Sequence, residues 1–340
     1  MRRRGEGELN QRGLTLVELM VALAIAFIVI GVVYQAFTSQ QRTYTIQDQV
    51  AEAQQNARVA MNILMRDLRM AGHGKPEGIV KIRGDEYSHS IEVATDPDNE
   101  DSNIITLVGC FGSPKGYLTR TADEGETQIW VRSTGNKLSD IFEEEDHIFI
   151  GGMERLRVSD APGDVYGTLT LDSPLVKRYP TGVLSASIGA GATQIPLRIT
   201  VGLRAGDVLF LGQDRLIVRD VGTETITIDT DPDTAGNQGI SGSYPDGTYV
   251  NPVPIYRLTA LEYSINFNPG LERFELRRWD RVEGNRTLAE NIQALEVNQE
   301  DQNLYRITLT ARTRVKDPDY LENNGFRTRV LESQVRLRNL

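Results

Sequence analysis

One cysteine and three histidines are all that the 340 residues offer of the side chains that most often bind metals or carry out covalent chemistry. With Cys110 alone, no intramolecular disulfide can form, so packing or assembly must hold the fold. His73, His89 and His147 are too few and too scattered for a zinc site or a catalytic triad. No glycine-rich phosphate loop, no metal-binding phrase and no nucleophile-base-acid phrase occurs, so the chain gives an enzyme nothing to work with. Positive charge is scarce too: 37 Lys and Arg face 47 Asp and Glu, for a formal net charge of -10. That balance excludes a general polyanion binder, which needs clustered cations to meet phosphates. Arg2, Arg3, Arg4 and Arg12 all precede residue 14, against Glu6 and Glu8, so the rest of the chain is more acidic than the whole.

One apolar run stands out. Residues 14–37 carry a single charge, Glu18. Roughly twenty apolar residues suffice to cross a bilayer as a helix. The flank before the run is basic, which places residues 1–13 in the cytoplasm and the bulk of the chain outside. A cleaved secretory signal would need an A-x-A-like site after the run, and Tyr34-Gln35-Ala36 fits poorly. A plain signal anchor explains the topology but not Glu18. A carboxylate in lipid costs about 3 kcal/mol and marks function by default.

The stretch Arg12-Gly13-Leu14-Thr15-Leu16-Val17-Glu18 resembles the type IV prepilin motif. The resemblance implies cleavage by prepilin peptidase between Gly13 and Leu14 and N-methylation of Leu14. It implies further that Glu18, fifth in the mature chain, acts in subunit assembly by neutralising the terminal amine of a neighbour. A buried carboxylate and a buried ammonium are each costly alone and tolerable as a pair. Leu14 departs from the usual Phe after the cut. Beyond the membrane half, Ile46, Val50, Ala53, Ala57, Ala60, Leu64 and Leu68 recur at helical spacing, and Gly72 with Pro76 provides a stop. One helix over about 15–71 is predicted. Its end, Arg66-Asp67-Leu68-Arg69-Met70-Ala71-Gly72, is similar to that of PilW-like minor pilins and also to that of the type II secretion pseudopilin J.

Residues 79–102 are mixed and acidic and read as a loop from helix to sheet, with 103–108 as a first strand. An internal repeat follows. Residues 125–132 match 191–198, 146–151 match 207–212, 155–160 match 215–220, and 168–172 match 225–229, in the same order. Alternating apolar and polar residues between Gly and Asp predict two small all-β modules, 121–178 and 187–235. Asp229, Asp231 and Asp233 alternate as calcium loops favour, but the sixth-position glycine and the twelfth-position glutamate are missing. An acidic solvated turn is the other reading, and no other cofactor is expected.

Residues 241–254 read as a linker, and alternating strands follow through 252–340. Leu288-Ala289-Glu290-Asn291-Ile292-Gln293-Ala294-Leu295 and Val335-Arg336-Leu337-Arg338-Asn339 are similar to the end of PilW-type proteins. Arg327, Arg329, Arg336 and Arg338 could touch DNA or line a solvated sheet face.

The expected fold is α+β: a leader over 1–13, a long N-terminal helix over 14–72 whose half 14–37 crosses the membrane, and a connecting region over 73–120. The two inserted all-β modules come next, then a C-terminal antiparallel pilin sheet over 252–340. The resemblance implies a non-catalytic minor pilin that primes pilus assembly near the filament tip. Its expected partners are other minor pilins, the major pilin, prepilin peptidase, the inner-membrane assembly platform, a tip adhesin and membrane lipid, with no nucleic acid. It would be a single-pass inner-membrane protein before assembly and part of a surface pilus afterwards. A type II secretion pseudopilin, a membrane-anchored periplasmic protein and a DNA-uptake receptor stand as alternatives.

Overall fold

A computed structural model describes residues 16–229 and 240–337. In the described residues the chain forms two compact units, 16–55 with 312–329 and 56–311 with 330–337. The long helix, Leu16–Met70, contributes to both and has 55 residues, about 82 Å at 1.5 Å per residue. It stops where the sequence stops it. Gly72 and Gly74 take left-handed φ values of 78° and 75°, and the Gly72 amide turns off to the Val108 carbonyl at 2.8 Å.

In the first unit the helix stands beside the segment 312–329, and its apolar run is exposed throughout. In the second unit its far end packs on a sheet. Ala57, Ala60, Met61, Leu64, Leu68 and Ala71 are buried, at the spacings of three and four that mark one helix face. The sheet has five antiparallel strands in the order Gly284–Glu290, Arg273–Asp280, Thr259–Asn268, Asn99–Gly109, Ile91–Asp96. A second sheet holds Ile292–Asp301, Leu304–Arg312 and Thr328–Arg336. Asn291, at φ 61°, turns the chain from one sheet to the other, so the phrase 288–295 spans two strands rather than one.

The region expected as a loop is ordered strand. Val80–Ile82 pairs with Asp85–Tyr87, and Ile91–Asp96 pairs with Asn99–Gly109. The acidic Asp96-Pro97-Asp98-Asn99 is a hairpin turn, closed by the Asp98 amide on Asp96 Oδ1 at 3.0 Å. Polar side chains on the open face of these strands masked their alternation.

Gly109 and Thr259 are register partners, so residues 110–258 occupy the place of a hairpin turn. The insertion begins with a closed barrel: Pro254–Arg257, Gly116–Leu118, Gln128–Ser133, Tyr166–Leu171, Glu154–Asp160, His147–Ile150. Pro254–Arg257 closes it by pairing with both Gly116–Leu118 and His147–Ile150. The other module runs Gln194–Pro196, Thr225–Ile228, Asp214–Val221, Val208–Leu211. Gly182–Val183 and Tyr249–Val250 pair alongside it. A Leu184–Leu197 bridge and the Asn251 amide on the Phe210 carbonyl join these strands to that sheet. The strands that carry the matched blocks therefore follow one order in both modules. Both show a register shift in the third strand, at Val158/Asp160 and at Val218/Asp220. Glu154 accepts from the Tyr179 hydroxyl and the Val176 amide, and Asp214 accepts from the Tyr244 hydroxyl and the Ser241 amide. Each module recruits strands from outside 121–178 and 187–235. The stretch expected as a linker, 241–254, supplies Tyr249–Val250.

Leu64 is fully buried and Val59 is 46% exposed on the same helix. Leu64→Ala is expected to cost about 2–5 kcal/mol and Val59→Ala under about 0.5 kcal/mol, measured by denaturant melts of the full chain in detergent.

Candidate functional site

Glu18 lies in the first turn of the helix, where the partial positive charge of the helix N-terminus favours a carboxylate. Residues three, four and seven positions on share its face, and these are Val21, Ala22 and Ile25. The carboxylate thus interrupts an otherwise apolar stripe. Leu16, Val17, Leu19, Met20 and Val21 around it are all more than half exposed, and no part of the apolar window is buried. Every large side chain from Leu16 to Phe37 needs a cover that the described residues do not supply. Gly13 and Leu14 lie outside the described residues.

A second carboxylate on the helix acts differently. Asp67 falls on the buried face, three after Leu64 and four before Ala71, and is 3% exposed. The Tyr263 hydroxyl donates to its Oδ2 at 2.6 Å and Arg278 Nε donates to the same oxygen at 3.1 Å. Arg66 Nε donates to Oδ1 at 3.1 Å. Burial, with Asp67 beside it, pushes the Tyr263 phenol far above its ordinary value. This charge-assisted cluster locks the helix onto two strands of the five-stranded sheet. Sequence reading found the phrase Arg66-Asp67-Leu68-Arg69 but not the role of Asp67. The signal was present: a carboxylate at apolar spacing needs a buried partner.

The remaining candidates separate. Asp229 is described and half-buried, while Asp231 and Asp233 lie outside the described residues. Among the described residues, no three His, Cys, Asp or Glu side chains are placed to hold a metal. Cys110 is buried among Val80, Val108, Phe149 and Leu258, and burial pushes its thiol up to about 12. Its sulfur is 2.6 Å from where a Cβ on Gly74 would stand, so the thiol fills a tight space and offers no nucleophile. Arg327 is paired with buried Asp317 at 2.7 Å. Arg329 and Arg336 sit seven apart on one strand, a separation that alternation sends to opposite faces. Arg338 lies outside the described residues.

The family described as "Prokaryotic N-terminal methylation motif" matches residues 9–34. The match contains Gly13, Leu14 and Glu18. It supports a type IV pilin-like protein, pilin or pseudopilin, anchored in a membrane through this helix. It also implies dealings with prepilin peptidase and pilus machinery in general. No curated protein matches the chain.

Asp67→Ala leaves the Tyr263 hydroxyl and the Arg278 guanidinium buried without their acceptor. The expected loss is about 3–5 kcal/mol, read as a fall in the denaturant midpoint. The Cys110 thiol should resist iodoacetamide at pH 8 in the native chain and react on unfolding. Below about pH 8.5 both states keep the thiol protonated. Above it only the unfolded chain ionises, so this residue should lower stability as pH rises from there toward 12.

Proposed function

We propose that this chain is a minor type IV pilin of the PilW kind. Prepilin peptidase cuts after Gly13, Leu14 becomes the methylated terminus, and Glu18 pairs with the terminal amine of a neighbouring subunit. Before assembly the helix holds the chain in the inner membrane, N-terminus in the cytoplasm and sheet domain in the periplasm. The inner-membrane assembly platform then extracts it together with other minor pilins. That complex primes the filament on which the major pilin polymerises. The work is structural and involves no turnover.

The observation that carries this reading is the position of Glu18. It falls inside the matched motif and in the first turn of a helix whose apolar run is wholly exposed. Lipid and then neighbouring helices supply the missing cover in turn, and a carboxylate is tolerable in both once an ammonium faces it. A Glu18 kept at the fifth mature position argues that this subunit sits beneath another, since an extreme tip subunit has no amine above it to neutralise. The inserted modules then face outward near the tip, where a tip adhesin is the expected contact.

A type II secretion pseudopilin is the second reading. It shares the helix-end phrase, in which Asp67 answers Tyr263 and Arg278. That phrase reports how a helix is locked to a sheet, and it fits both systems. Deleting the gene and scoring surface pili against secreted enzymes separates them: loss of pili with secretion intact is expected.

Intact-mass analysis of the protein from peptidase-positive cells tests the pilin class itself. A chain beginning at methylated Leu14 is expected. A chain that retains residues 1–13 in those cells contradicts the assignment.

A further inference from the structure

A polar pocket forms where the apolar run of the helix ends. Phe37 closes the run, and Arg42 follows five residues later, about 7–8 Å further along the axis. The headgroup layer has about that depth: hydrocarbon spans about 30 Å and the whole bilayer about 40–45 Å. At this level the segment 313–327 lies against the helix, both within the first unit. Arg42 Nη1 is 3.4 Å from Asp319 Oδ2, and the Val315 amide donates to Gln49 Oε1 at 3.2 Å. Gln35, Ser39 and Arg42 from the helix and Asp317, Asp319 and Arg327 from the segment line a cavity of about 450 Å³.

The charges in this cavity balance: two guanidiniums against two carboxylates. Asp317 is buried and tied to Arg327 at 2.7 Å, and that guanidinium holds its carboxyl below the usual range. The other pair is looser. Arg42 and Asp319 are 58% and 74% exposed, so their attraction is weak and readily exchanged for another partner. A lone anion entering here would meet two carboxylates, and a lone cation two guanidiniums. A zwitterion satisfies both members of the Arg42–Asp319 pair at once. On the same segment, 313–327, Leu321 is 94% exposed and Val315 is 56% exposed. Such side chains on a charged segment suit the boundary between headgroup and acyl chain.

We propose that this pocket binds the headgroup of a zwitterionic phospholipid that carries a primary ammonium. The Arg42 guanidinium takes the phosphate and the Asp319 carboxylate takes the ammonium. A carboxylate accepts hydrogen bonds, so it selects a primary ammonium over a quaternary one. The site rests on the reading of residues 14–37 as membrane-spanning. It would seat the segment 313–327 on the bilayer surface until assembly draws the helix out.

Native mass spectrometry of the full chain in detergent tests the site, with phosphatidylethanolamine, phosphatidylcholine and phosphatidylglycerol each titrated in. One phosphatidylethanolamine should be retained at about tenfold lower concentration than either other lipid, a difference of about 1.4 kcal/mol. Arg42→Gln and Asp319→Asn should each abolish that preference, and Asp319→Lys should shift it to phosphatidylglycerol. Equal retention of the three lipids by the unaltered chain, or a preference that survives both Arg42→Gln and Asp319→Asn, overturns the proposal. The membrane reading has its own check, because the unaltered chain should resist alkaline extraction from membranes. Extraction would sink the spanning helix and not merely the headgroup site.

Discussion

The structure depends on one imbalance. More than a dozen large apolar side chains between Leu16 and Phe37 stand in the open. Burying each is worth about 1.5–3 kcal/mol, so the cover that is missing amounts to tens of kcal/mol. No solvated state of the helix is sustainable, and lipid or neighbouring helices must replace water. Within that surface Glu18 opposes both environments unless a positive charge meets it. In the proposed assembly the terminal amine of another subunit is that charge. In that proposed assembly, the same demand that drives the helix into a membrane also sets the register in which helices can leave it.

The rest of the fold serves to carry that helix. Asp67 is held by Tyr263 and Arg278, which fixes the far end of the helix on the five-stranded sheet. The insertion enters and leaves at the Gly109–Thr259 pair, its barrel also packs on the sheet domain through Phe149, and each module closes its own apolar core. An insertion at a hairpin end leaves the ladder on either side intact. That is why residues 110–258 can be present without disturbing the helix-sheet joint. The tyrosine-capped carboxylates Glu154 and Asp214 sit at matching points of the two modules.

Much of this was legible in the residues. The helix announces itself through period and punctuation: apolar residues at steps of three and four, then Gly72. The strands of the modules show in plain alternation such as Thr168-Leu169-Thr170-Leu171. What was not legible falls into two kinds. Strands that expose polar residues, as in 91–102, alternate too weakly to be told from a loop. Contacts across long separations leave no local trace, as with the pairing of Pro254–Arg257 to Gly116–Leu118 that closes the barrel. For the site, the sequence marked Glu18 because a charge in an apolar run is conspicuous. It hid Asp67, because a charge among Arg66, Asp67 and Arg69 looks like a solvated helix surface until the partners 196 and 211 residues away are known.

The central claim is that Glu18 acts between subunits. Replacing Glu18 with Ala and following the chain in the membrane fraction and in the sheared filament fraction tests it directly. The account expects the variant to remain in the membrane at the unaltered level and to be lost from the filament fraction, with fewer surface pili. Undiminished incorporation into filaments would contradict it.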